Sequence, residues 1–369
     1  MSGVSEEVLN FAVIGCGTIG PTHIGALRQI DNVHVHALLD TVEDRAYAMA
    51  AQFDIQGVYT KLDDLLGDPM VDVVAICTPS GTHADIAVAA LHAGKHVIVE
   101  KPMDISLEAC DRMIAAADET GKKLTVISQH RFDHATQFLK AALGNGQLGK
   151  IVLADAAVKW WRTQEYYDSG NWRGTWAMDG GGTLMNQGVH TVDLLQWLAG
   201  DVESVYAHIR TSGHDRIEVE DIAVAALTFT GGAVGTLTAT TCAYPGMPVR
   251  IDVIGTEGSA TIEADTLRSM TLKKGDTHLS DAVASHALSV AQGGSASVVH
   301  AAAERSTAAD PGAVWGDAHR AQIEDFLHAV RTDGTPLIDG RAGRKPLEII
   351  LAVYESARTG LPVKLGAVS

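Results

Sequence analysis

Positive charge is scarce in this chain: 28 lysines and arginines stand against 45 aspartates and glutamates, for a formal charge of −17. No basic run gathers into a stripe able to neutralise phosphates, so nucleic acid is excluded as an expected partner. Cysteine is just as sparse. Cys16, Cys77, Cys110 and Cys242 form no CxxC pair and show no metal-ligand spacing. They read as small buried hydrophobes in a reducing compartment, with no disulfide framework and no metal expected. No apolar run reaches the roughly 18 residues that a membrane-spanning helix needs. The opening MSGVSEEVLN carries two glutamates where a signal peptide would be basic and then apolar. The chain is therefore expected in the cytoplasm, away from membranes.

What is present is a two-part grammar. A length of 369 residues exceeds one ordinary core, which favours two domains. Up to about residue 130, short apolar runs alternate with helical stretches: Phe11 to Gly15, Val35 to Asp40, Val73 to Thr78, His96 to Glu100 and Leu124 to Ser128. Helices are expected near 21–30, 42–53, 82–93 and 106–120. Nearly continuous apolar strands separated by helices imply an α/β fold with a doubly wound parallel sheet. Past residue 132 the runs between Val202 and Met270 are short and divided by glycine-containing turns, the mark of a second, α+β domain on a large, mostly antiparallel sheet. Helices are expected near 133–143, 186–198, 317–331 and 346–359, and residues 275–316 read as a long excursion. The boundary is placed after residue 131, with the C-terminal helices returning to the domain junction. Because IAVAALTF and AVGTLTAT are apolar or small at most positions, that sheet is expected to be covered on both faces, one of them by a partner subunit in a homodimer or homotetramer.

Gly15, Gly17 and Gly20, with Thr18 and Ile19 between them, form GxGxxG directly after the first strand and before a helix. The first glycine permits a tight turn, the second lets a pyrophosphate approach the backbone, and the third permits close helix packing. Asp40 ends the second strand 20 residues beyond Gly20. Its carboxylate would accept from a ribose 2′-hydroxyl and repel a 2′-phosphate, so NAD is favoured over NADP. Capping of the following helix is the plainer reading of the same residue.

With that fingerprint in place, three further segments resemble the Gfo/Idh/MocA family of oxidoreductases: CTPSGTHADIAVAALHAGKHVIVEKP from Cys77 to Pro102, DGGGTLMNQGVHTVDLLQWLAG from Asp179 to Gly200, and the C-terminal HRAQIEDFLHAV with GRAGRKPLEIILAVYESARTG. The resemblance implies a Rossmann domain that binds NAD(P), followed by a domain for substrate binding and oligomerisation. Lys101 of Glu-Lys-Pro would be catalytic, with Glu100 as its orienting neighbour. A lysine at the C-terminal end of a parallel strand is suitably placed for such a role, since burial and a cationic nicotinamide both lower its pKa. Thr78, Pro79 and His83 match the loop beside the nicotinamide ribose, and Trp172 with Arg173 matches a cofactor-contacting pair. Asn186 and His190, spaced i, i+4, match the family's catalytic helix. The family often has Asp where Asn186 stands, and an amide takes up no proton, so acid–base work falls to His190 and Lys101. Asn186 would then orient a substrate hydroxyl.

Four of the six tryptophans lie between 160 and 176, a concentration that sugar stacking or a subunit interface explains. Trp161, Arg162 and His319 are expected at the substrate. The reaction implied is hydride transfer between NAD(P) and a secondary alcohol of a sugar, cyclitol or sugar derivative. The alternatives are transient oxidation that drives cleavage or elimination without net redox change, and a non-catalytic dinucleotide sensor. Retention of both Lys101 and His190 argues against the sensor.

Overall fold

In the first part of the chain, strands β1 (Leu9–Ile14), β2 (Val33–Leu39), β3 (Gly57–Tyr59), β4 (Val73–Ile76), β5 (His96–Val99) and β6 (Leu124–Val126) alternate with helices α1 (Gly20–Leu27), α2 (Glu43–Phe53), α3 (Leu62–Leu66), α4 (His83–His92) and α5 (Leu107–Thr120). The computed structural model describes residues 8–273, 277–280 and 316–366. All six strands are parallel, in the order β3-β2-β1-β4-β5-β6. This is the doubly wound arrangement, in which strand order reverses between β1 and β4 and ligands bind beyond the strand ends at that point. Residues of β1, β4 and β5 are almost wholly buried, as strands covered on both faces must be. The sequence reading misses β3 and α3. β3 has three residues with no periodic run, and it exists because Gly57 lies flat against Ala37 of β2.

The second part contains α6 (His134–Gly144), β7 (Ile151–Lys159), α7 (Gln164–Asp168), α8 (Val189–Ala199) and strands β8 (Val202–Arg210), β9 (Ile222–Phe229), β10 (Val234–Thr240), β11 (Arg250–Gly255), β12 (Gly258–Glu263), β13 (Thr266–Leu272) and β14 (Thr277–Ser280). The chain ends in α9 (Gly316–Thr332), α10 (Gly340–Thr359) and β15 (Val363–Lys364). One nine-stranded sheet runs β14-β13-β12-β11-β7-β10-β9-β8-β15, and among its pairs only β7 with β10 is parallel. Ala154, Ala156 and Val158 of β7 are buried, and α8 packs on β7 and β11 while α6 packs on β12 and β13. The opposite face is different. Tyr206, Val224, Val234 and Ile254 are each more than a third exposed, so β9 and β10 alternate buried and exposed residues within this chain. The long excursion expected at 275–316 lies mostly outside the described residues.

Packing groups Met1–Gln129 with Val314–Arg344, and His130–Ala313 with Lys345–Ser369. Beyond the boundary that the sequence reading draws after residue 131, the described residues 316–344 pack with the first unit. The reason is apolar: Ile323, Phe326 and Leu327 of α9 are buried in the same core as Phe11, Ile24 and Leu27. Gln322 adds polar ties, accepting from the Ser128 amide at 2.9 Å and donating to the Val126 carbonyl at 2.8 Å. Cys16, Cys77 and Cys110 are buried, and burial pushes each thiol pKa up, that of Cys16 to about 11. They sit as neutral core residues.

Candidate functional site

In the first unit, Gly15 follows β1 with φ 101°, a conformation that L side chains rarely adopt, and a Cβ there would lie 2.6 Å from the Cys77 carbonyl oxygen. The turn after β1 thus lies directly against the end of β4. A Cβ on Gly20 would meet the Gly15 carbonyl at 2.9 Å, so the third glycine is fixed by helix packing. Gly17 differs from both: a Cβ there would have no atom within 4 Å, and Gly17 and Thr18 are exposed. The fold does not need a glycine at 17, whereas a pyrophosphate lying on the loop does. Ile19, at the N-cap position of α1, supplies no side-chain acceptor; Pro21 has no N–H and the Thr22 amide is bonded to the Ile19 carbonyl at 3.0 Å, so the Gly20 amide is the helix-start donor that would meet an anion.

Asp40 is buried at the end of β2. Its Oδ2 accepts from the Cys16 amide at 3.0 Å and its Oδ1 from the Val42 amide at 2.8 Å, which locks the carboxylate beside the glycine loop. Oδ1 keeps a lone pair for a hydroxyl donor. Helix capping is only part of this, since one of the two amides lies in the glycine loop. Arg45 reaches Asp40 from α2 at 3.3 Å, so the cation one turn along is already paired with it.

The Glu-Lys-Pro segment follows β5. Glu100 is buried and faces two imidazoles, with His23 Nε2 2.8 Å and His319 Nε2 3.7 Å from its Oε1. Burial works against the charge, but the two histidines hold the Glu100 carboxyl well below the usual carboxylate range. Its Oε2 accepts from the Lys101 amide at 3.1 Å, so Glu100 fixes the main chain that carries Lys101, which is itself half-buried. The Lys101–Pro102 peptide is cis. His83 is buried and spans two carbonyls, with Nδ1 2.9 Å from Pro102 O and Nε2 2.9 Å from Thr78 O. It ties the Thr78–Pro79 loop to the Lys101–Pro102 loop. His319, expected at the substrate, is 2% exposed and lies edge-to-face on His23 at 5.6 Å, inside the network that steadies Glu100.

In the second unit the glycine run leads into a π turn, Thr183–Gln187, closed by Gly188 N donating to Thr183 O at 2.8 Å. A Cβ on Gly182 would collide with the Glu220 carbonyl, and one on Gly181 with the Tyr354 hydroxyl. The expected single helix from Asn186 is therefore a π turn followed by α8, and the regular i, i+4 stagger of Asn186 and His190 does not hold across it. Such turns recur at functional sites. Glu220 underpins this one, accepting from the Gly182 and Leu184 amides at 2.9 Å each and from the Tyr354 hydroxyl at 3.0 Å. Burial outweighs these bonds and pushes the Glu220 carboxyl up to about 7. Asn186 Nδ2 donates to Asp179 Oδ1 at 2.7 Å, and Asp179 is 2% exposed.

His190 opens α8, half-buried, with its ring edge-to-face on that of His130 at 5.1 Å. Asp193, one turn further along, forms a bidentate pair with Arg131 at 2.8 and 2.5 Å. Its carboxylate therefore serves Arg131. Around the tryptophans, Trp160 and Trp161 part company as strand neighbours do. Arg162 lies over Trp160 at 4.9 Å and Tyr166 at 5.5 Å, while Trp161 sits edge-to-face on Tyr244 at 5.6 Å. Arg173 lies over Tyr166 and Trp172 at 4.5 Å each and donates to the Tyr166 hydroxyl at 2.9 Å. Gln187, next to Asn186, donates to the same hydroxyl at 3.0 Å. Trp172, Arg173 and the π turn are thereby joined. Arg162 is almost fully buried, which makes it part of the wall more than a free cation.

Asp179, Glu220 and His130 escape the sequence reading. Asp179 had a signal, as the acidic residue opening the glycine run. Glu220 and His130 had none, because they reach the π turn and α8 from segments remote in sequence.

Two family models match the chain: an oxidoreductase family with an NAD-binding Rossmann fold over residues 9–128, and a GFO/IDH/MocA C-terminal domain over residues 136–261. The chain is 28% identical to a myo-inositol 2-dehydrogenase of Thermotoga maritima, covering 97% of this chain and 98% of the relative. It is also 28% identical to a scyllo-inositol 2-dehydrogenase (NAD(+)) of Bacillus subtilis, covering 98% and 97%. Among solved structures it is similar to the WlbA dehydrogenase of Bordetella pertussis, determined in complex with NADH and UDP-GlcNAcA, with 33% identity, a TM-score of 0.85 and 99% of each chain covered.

Proposed function

Since the chain belongs to the GFO/IDH/MocA family of NAD-binding oxidoreductases, we propose that it oxidises, reversibly, a secondary alcohol of a sugar, cyclitol or sugar derivative. The observation that carries the cofactor half is the Gly15–Gly20 loop, where only Gly17 faces open space, with Asp40 locked beside it. The substrate class follows the inositol dehydrogenases that align over nearly the whole chain. Bound NAD supplies the acceptor for the hydride that leaves the carbinol carbon.

The chain's own residues do the rest. The loop amides and the start of α1 hold the pyrophosphate, Asp40 accepts from the adenosine ribose and favours NAD over NADP, and Thr78, Pro79, Trp172 and Arg173 line the cofactor. Lys101 and His190 handle the hydroxyl proton. Asn186 is oriented by donating through Nδ2 to Asp179, and its Oδ1, which also accepts from Gln187 at 3.4 Å, would meet a substrate hydroxyl. Trp161 and Arg162 belong to the substrate side. His83 and Glu100 act through the main chain that they hold, and His319 acts through Glu100.

We place the enzyme in the cytoplasm as a homodimer or homotetramer joined through the open sheet face. No described helix is long and apolar enough to cross a membrane. The test is a panel of sugars and polyols scored for NADH formation, followed by Lys101→Ala and His190→Ala with the best alcohol. Both substitutions should lower kcat by at least about 10²-fold with NAD affinity kept. A variant that keeps most of its turnover removes that residue from the reaction.

A further inference from the structure

We propose that His130 and His190 form a coupled imidazole pair in which His130, clamped by Asp133 and Asp265, carries the positive charge and leaves His190 the neutral, proton-accepting member. The inference rests on the reading of His190 as a group that handles the substrate proton, and it makes His130 a positioning residue.

The two rings meet edge-to-face, 5.1 Å between centroids and 77° between planes. His130 Nδ1 lies 2.7 Å from Asp133 Oδ2 and 3.3 Å from Asp265 Oδ1. Ionised carboxylates only accept, so Nδ1 must carry a proton toward both. Each carboxylate is turned to His130 at the expense of a more ordinary arrangement. Asp133 stands at the N-cap position of α6, where an aspartate normally accepts from the first helical amides, yet its side chain makes no cap bond. Asp265 sits in the two-residue turn between β12 and β13, where Ala264 and Asp265 have φ of 48° and 60°. Hairpin turns with two left-handed residues favour Asn-Gly or Asp-Gly, and neither residue here is a glycine. The Ala264 amide, bonded to the Val249 carbonyl at 2.9 Å, anchors the turn.

Arg131 is neutralised by Asp193 of α8. Lys140 of α6 lies over the Trp197 ring at 5.0 Å, and His134 flanks Asp133. The strands on which α8 packs bury Ala154, Ala156, Val158, Ile251 and Val253, none of them charged. Burial alone would discharge His130, but the charges of Asp265 and Asp133 outweigh it and hold its pKa well above the usual imidazole value. Two imidazoles in contact titrate as a unit, and the one that faces carboxylates charges first. The charge on His130 then opposes a second proton on His190.

The experiment is an NMR titration of the His190 imidazole in the full-length protein and in His130→Asn, which keeps a neutral donor near the Nδ1 position. This substitution removes a cation and leaves both carboxylates, so the His190 pKa should rise by about one unit. An unchanged His190 titration overturns the proposal. Should His130→Asn fold poorly, His130→Gln provides the same charge change. The acidic limb of the kcat/KM profile, measured with the alcohol turned over fastest in the panel, should move up by the same amount and recover the lost activity at higher pH. A merely structural role would lower the rate equally at all pH values, and that result also overturns it. If the titration moves but the limb does not, the pair stands and the catalytic reading of His190 falls.

Discussion

Asn186 and Asp179 are joined by a 2.7 Å hydrogen bond in which the amide of the π turn donates to a carboxylate that is 2% exposed. The carboxylate absent from position 186 is thus present one bond away, where it orients the amide and has no need to take a proton itself. Asn186→Asp would set two carboxyls within hydrogen-bond distance, and one would have to keep its proton. A carboxyl whose folded pKa is raised loses its contribution to stability as pH rises. The melting temperature of Asn186→Asp should therefore fall, relative to Asn186→Ala, by a few degrees between about pH 5 and about pH 8. Parallel pH profiles for the two variants would remove Asp179 from this role.

Cofactor choice hangs on Asp40 and its neighbour Arg45. In Asp40→Ala the ribose partner is lost and Arg45 is released from its 3.3 Å pairing. NAD affinity should drop about tenfold or more while NADP affinity drops less or rises. Calorimetric titration with both cofactors checks it, and equal losses would show that Asp40 does not read the 2′ position.

Much of this was legible in advance, and the boundary has physical causes. The parallel sheet announces itself because strands buried on both faces are continuous apolar runs, and the glycine loop because three close approaches dictate three glycines. Asn186 and His190 carry a spacing, but the π turn that separates them does not show, since it is imposed by Glu220 and Tyr354 from distant segments. The return of α9 to the first unit is likewise a packing outcome, made by Ile323, Phe326 and Leu327 in the core that holds Phe11. The alternation in β9 and β10 was hidden by alanines and threonines, which read as buried yet tolerate water.

Glu220 gives a second pH signature. Its carboxyl, pushed up to about 7 by burial, favours the protonated form in the fold, so the stabilisation is full below the ordinary glutamate pKa and is lost as pH rises through about 7. Wild-type melting temperature should decline across that window. Glu220→Gln should lack this slope, whatever its absolute stability. A slope retained in the variant would assign it to another group.

The open face of the nine-stranded sheet carries Tyr206, Val224, Val234 and Ile254. These apolar residues share the face with Asp155 and Asp252, and closed symmetric pairing is a common way to cover such a face. Light scattering after size exclusion should give a multiple of the 38.9 kDa chain mass. Val224→Glu should shift the distribution toward the monomer. A wild-type mass of one chain at micromolar concentration would contradict the interface.

The most direct test of the whole account is the stoichiometry of NADH formed per alcohol consumed, measured on the best substrate of the panel in a single progress curve. Net dehydrogenation predicts one NADH for each molecule of alcohol oxidised to ketone. Product released with no accumulation of NADH would mean that oxidation is only transient, and the assignment as a dehydrogenase would be wrong.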